Sequence, residues 1–115
     1  MSMMCVQFFV QEGMRHAGHP IHEWLFAEAR VLGIPGGTVF RSSAGYGRHG
    51  LIEDRFFELA GELPETVVFF AEPEQVENLA QRVGEAGLRL VYVRYPVELG
   101  VTGDYSNRSS SSSGE

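Results

Sequence analysis

From Met4 to Glu12 the chain alternates: Met4, Val6, Phe8 and Val10 fall on one side of an extended backbone, Cys5, Gln7, Phe9 and Gln11 on the other. A period of two predicts a first strand with one buried face. Gly13 to His19 holds two glycines and several basic side chains and reads as a loop. Pro20 then suits the first position of a helix, where a missing N–H costs nothing. Ile21, Trp24, Leu25, Ala29 and Leu32 recur at helical spacing, which carries this helix to about Leu32, and Gly33 offers a stop. Gly36-Gly37 opens a second strand over Thr38–Ser43, after which Gly45, Gly47 and Gly50 break regular structure. Leu51 to Leu63 fits either a strand or a turn of helix. Pro64 leads into an apolar third strand, Thr66–Ala71, closed by Pro73. Val76, Leu79, Ala80 and Val83 then follow the i, i+3, i+4, i+7 pattern of a second helix, Pro73–Ala86, with Glu74 in its first turn and Gly87 after its end. Leu88 to Tyr95 predicts a fourth strand, limited by Pro96.

Two β-α-β halves of similar length imply an α+β domain of ferredoxin-like type, β-α-β-β-α-β, in which a four-stranded antiparallel sheet carries two helices on one face. Residues 1–99 form this domain. Residues 100–115, rich in glycine and with five serines in succession from Ser109 to Ser113, are expected to be a disordered tail. The second face of the sheet lacks a cover. Phe9, Phe40, Phe69 or Phe70, and Tyr92 are candidates to line it, so a homo-oligomer joined through the sheet is expected.

Composition narrows the chemistry. The chain has 115 residues, 43% of them hydrophobic, enough for one core, and a formal net charge of -6 that disfavours a nucleic-acid partner. Cys5 is the single cysteine, which excludes an internal disulfide and fits a reducing cytoplasm. No run approaches the about 18 apolar residues of a spanning helix, and the start lacks the basic region of a secretory signal. No nucleophile–base order or paired carboxylates stand at a recognisable spacing, so the expectation is a protein that is not an enzyme and carries no cofactor. His16, His19 and His22 are spaced by three, with His49 further on. They bring a copper or zinc site into question, although only His19 and His22 could share a helical face, and then only if the helix begins before Pro20.

The segment Ala44-Gly45-Tyr46-Gly47-Arg48-His49-Gly50 combines backbone freedom with one aromatic and two potentially cationic side chains. Its N–H groups and Arg48, with Arg41 at the end of the second strand, can hold a phosphate while Tyr46 stacks on a ring. By composition alone, a plain connection explains it better. It is neither a P-loop nor a dinucleotide fingerprint.

The order of motifs changes that balance. Gly18-His19-Pro20-Ile21-His22-Glu23, then Ala29 through Arg41 with its Gly33-Ile34-Pro35-Gly36-Gly37-Thr38-Val39-Phe40-Arg41 run, then Gly45-Tyr46-Gly47, Leu63-Pro64 and Glu72-Pro73-Glu74, resembles the PII-like domain-of-unknown-function family, DUF190, over about Met4 to Glu98. The resemblance implies a ferredoxin-like trimer with sheets facing its centre, and a loop after the second strand corresponding to the T-loop of PII signalling proteins. It further implies a small anionic ligand, an adenine nucleotide first, in clefts between subunits beside Gly36, Gly37, Thr38 and Arg41 and the loop residues Gly45, Tyr46, Gly47, Arg48 and His49. The loop would pass the signal to a membrane transporter or an enzyme. The chain departs from the family's usual residues at His22, Gly37, Ser42, Val68 and Ala71. A CutA-like metal-binding trimer, or a purely structural one, is the alternative.

Overall fold

The computed structural model describes residues 3–11, 13–43 and 64–103. The elements run β1 (Met3–Gln11), β2 (Arg15–His16), β3 (His19–Pro20), α1 (Ile21–Val31), β4 (Gly37–Arg41), β5 (Pro64–Ala71), α2 (Pro73–Glu85) and β6 (Val91–Val97). Strands β4, β5, β1 and β6 lie in that order in one sheet, every pair antiparallel, so the two halves interleave as the ferredoxin-like arrangement requires.

Register decides which side chains reach the core. Val6, Phe8 and Val10 of β1 stand opposite Phe69, Val67 and Glu65 of β5, and this set faces the helices. There it meets Ile21, Leu25 and Ala29 of α1 and Val76, Leu79 and Val83 of α2, all buried. Burial of about ten such side chains at about 1.5–3 kcal/mol each is the main term holding the layers together. The alternation in β1 is less one-sided than its sequence suggests, because Cys5, on the opposite face, is also buried.

Both helices stop in the same way. Gly33 and Gly87 each take φ +82, and behind them the N–H of Ile34 reaches the Ala29 carbonyl at 3.0 Å and that of Leu88 the Val83 carbonyl at 3.2 Å. These are Schellman motifs, which favour glycine at the left-handed position. Gly33→Ala is expected to cost about 1 kcal/mol, read as a small fall in melting temperature, because an L side chain is strained at that φ. At its start α2 carries a capping box: Gln75 Oε1 accepts from the Glu72 N–H at 2.9 Å, while the Glu72 side chain accepts from the N–H of Gln75. Gln75 Nε2 also donates to the Leu32 carbonyl at 3.3 Å, tying the end of α1 to the start of α2. A second tie is the 2.6 Å bond from Arg82 to Glu28.

Four expectations are corrected. Gly13–His19 is not plain loop, since Arg15–His16 and His19–Pro20 form a small hairpin. Pro20 is consequently the cap before α1, extended at φ -53 and ψ 144, rather than its first residue. The fourth strand runs through Pro96 to Val97, which β6 tolerates as an edge strand. Tyr92 and Phe69 point to the helix side, where the Phe8 ring lies 5.4 Å from Tyr92 and 6.4 Å from Phe69. The ambiguous stretch 51–63 and the tail from 104 onward lie outside the described residues.

Candidate functional site

Two features gather on the edge strand β4, one at each end. At its start, Gly36 and Gly37 line a cavity of about 250 Å³ with Phe26, Ala29, Arg30 and Phe69. Gly37 stands opposite Phe69 in the ladder, and a Cβ built there would lie 2.5 Å from the Phe69 ring and 2.9 Å from that of Phe26. Only glycine lets both rings close over the strand. Arg30, from the last turn of α1, lends the cavity a cationic rim.

At the other end of β4, Arg41 stands opposite Glu65. Glu65 is 5% exposed, a costly place for a charge unless it is paired. Arg41 Nη2 donates to its Oε2 at 3.1 Å, and His22 Nδ1, from the first turn of α1, lies 3.7 Å from its Oε1. The Arg41 side chain is 64% exposed, so its guanidinium sits between a buried anion and solvent. The pair joins the residues at which the chain leaves the sheet after β4 and re-enters it at β5.

The structure therefore separates the residues expected to bind together. Gly37 and Arg41 share the helix-facing side but are four residues apart, about 13 Å along an extended strand. Thr38 lies on the opposite face. Gly45, Tyr46, Gly47, Arg48 and His49 lie outside the described residues. Glu65 was not among the expected site residues. Its sequence signal was a carboxylate at the start of an otherwise apolar strand.

The sheet face away from the helices carries Phe9, Phe40, Phe70, Val93 and Tyr95. Phe40 is 59% exposed, and Phe70, Val93 and Tyr95 are each near 40%. Gln7 Nε2 donates to the Tyr95 hydroxyl at 3.0 Å. The Tyr95 pKa is raised above its ordinary value, first by a side-chain hydrogen bond with Cys5, then by desolvation and by electrostatic interaction with Cys5. Among the described residues no helix is long and apolar enough to cross a membrane, and no three His, Cys, Asp or Glu side chains are grouped to hold a metal.

Comparison with known proteins agrees with this architecture. A UPF0166 protein of Aquifex aeolicus is 30% identical over 79 residues, which is 68% of this chain and 75% of that protein. Among solved structures, a protein of Thermus thermophilus described as PII-like signalling superposes with a TM-score of 0.56 at 15% identity, covering 84% of this chain and 88% of the other. CPII of Thiomonas intermedia, bound to ADP, AMP and acetate, does so with 0.61 at 11%, covering 87% and 90%. CutA1 of Pyrococcus horikoshii reaches 0.51 at 17%, covering 89% of each chain. At these identities the likeness is one of fold. Residues 3–99 match the family described as DUF190, Uncharacterized ACR, and the chain belongs to that family.

Proposed function

We propose that the protein is a PII-like regulatory protein that binds a small anionic metabolite, an adenine nucleotide foremost, and passes its presence to a transporter or an enzyme. The observation that carries this reading is the Arg41–Glu65 pair: an exposed guanidinium, anchored by a buried carboxylate, at the base of the segment that follows β4. Such a group is positioned before any ligand arrives, and a phosphate can meet it with charge-assisted hydrogen bonds. The fold likeness to CPII, a structure holding ADP and AMP, supports the nucleotide as ligand. Gly36, Gly37 and Thr38 supply exposed backbone along the same edge, and Gly45, Tyr46, Gly47, Arg48 and His49 complete the site from the following segment. Differential affinity for two arrangements of that segment would set how far the ligand shifts them.

The open sheet face supports assembly as a trimer, since exposed aromatic and aliphatic side chains on one face are costly to leave in water. A subunit edge such as β4 would then lie in a cleft between neighbours. In this reading the protein is cytoplasmic, performs no catalysis and holds no resident cofactor.

Calorimetric titration with ATP, ADP, AMP and inorganic phosphate tests the ligand, and light scattering tests the assembly. The expected results are saturable uptake of at least one adenine nucleotide and a particle of about three times the 12.8 kDa protomer. Silence toward every nucleotide, or a monomer at micromolar concentration, would overturn the respective part.

A further inference from the structure

The small hairpin before α1 places two histidines together in a way the helix could not. We propose that His16 and His19 form a two-imidazole chelate for a late divalent transition ion, Cu(II) foremost, beside Trp24. His16 and His19 are direct partners across β2 and β3. They flank a two-residue turn in which Ala17 takes φ +53 and Gly18 φ +83, the backbone of a tight type I′ hairpin. Ile21 N–H donates to the Met14 carbonyl at 2.9 Å, so Met14 and Ile21 form a hydrogen-bonded pair. Alternation along an antiparallel ladder then makes Arg15–Pro20 the non-bonded pair, where proline's missing N–H costs nothing, and His16–His19 the next bonded one.

Residues paired in this way project from the same face with their Cβ atoms about 4.5–5.5 Å apart. That spacing lets two imidazoles reach one ion at the usual metal–nitrogen distance of about 2 Å. The partner pair Arg15–Pro20 projects from the other face, and Arg15 Nη2 is engaged by the Gly18 carbonyl at 2.6 Å, which also braces the turn.

His16 is held in place. Its ring meets Trp24 of α1 edge to face, with centroids 4.9 Å apart and planes at 72°, while His19 is exposed. One imidazole is fixed and the other accessible, an arrangement that lowers the ordering cost of chelation. Two protein ligands leave the remaining positions to water. Imidazole donors favour Cu(II) over Ni(II) and Zn(II) by the general order of divalent stability. This site is independent of the nucleotide reading and lies on a different element from Arg41.

Trp24 is the single tryptophan of the chain, so its fluorescence reports on the site without interference from another indole. Titration of the full chain with CuCl₂ is expected to quench that emission saturably at one ion per chain, with recovery on adding EDTA. His16→Gln and His19→Gln should each raise the midpoint by about ten-fold or more, since a single remaining imidazole cannot chelate, whereas His22→Gln should leave it unchanged. Circular dichroism of each variant checks that the fold is retained. Quenching that survives His19→Gln, or that His22→Gln abolishes, overturns the assignment, as does the absence of saturable quenching in the parent protein.

Discussion

Replacing Gly37 by alanine is expected to lower the melting temperature by about 10–15 °C in a calorimetric scan, the equivalent of about 2 kcal/mol for a domain of this size. The added Cβ would stand 2.5 Å from the ring of Phe69, which is almost fully buried, and 2.9 Å from that of Phe26. Neither ring is the free end of a flexible side chain. Phe69 lies edge-on to both Phe8 and Phe26, with centroids 6.4 and 6.0 Å away, so displacing it disturbs the core beneath the sheet. Gly36, the adjoining position, has nothing within 4 Å of a built Cβ, and Gly36→Ala should therefore be nearly neutral. Equal melting of the two variants would show that the rings yield without cost. A selective loss at Gly37 would identify ring closure over β4 as the reason for glycine there.

Arg41→Ala is expected to weaken ADP binding about ten- to hundred-fold and to destabilise the fold by about 1–3 kcal/mol, since it removes a charge-assisted contact from the ligand and strands a buried carboxylate. The two effects separate in the double variant. Adding Glu65→Gln to Arg41→Ala removes the stranded charge and should restore most of the stability, but none of the affinity. Calorimetry and thermal melting read these independently. Unchanged ADP affinity in Arg41→Ala would remove Arg41 from the site; failure of the second substitution to restore stability would show that the cost did not arise from Glu65.

The parts of the fold legible in the sequence were those set by local periodicity. Val76, Leu79 and Val83 announce α2 because they recur on one face, and Gly33 and Gly87 mark both helix ends because each needs a left-handed backbone. The hairpin at Arg15–Pro20 was hidden by its turn, since Ala17-Gly18 lacks the Asn-Gly or Asp-Gly pair that usually signals φ > 0 at two successive residues. Pro96 suggests an ending in the sequence because its effect depends on whether a neighbour claims its missing N–H, which a single strand does not reveal. The faces of Tyr92 and Phe69 depend on parity, and parity follows register. Glu65 is not legible for a related reason: its counter-charge lies 24 residues earlier, on another strand. Gly36, Gly37 and Arg41 were found through the order of motifs, while their separation along β4 needed the structure.

The bond from Gln75 to the Leu32 carbonyl gives the two halves of the molecule a common hinge pin. Gln75 holds the start of its own helix with one side-chain atom and the last turn of the other helix with the second. The turn beyond Leu32 leads directly through Gly33 and Ile34 to Gly37, so the wall of the edge cavity takes its place from a residue roughly forty positions later. Strain arising at the mouth of that cavity would thus be felt at the head of α2 and, through it, at the outgoing end of β5. A protein that must convert occupancy at one edge into a change elsewhere would find such a linkage already built into its backbone.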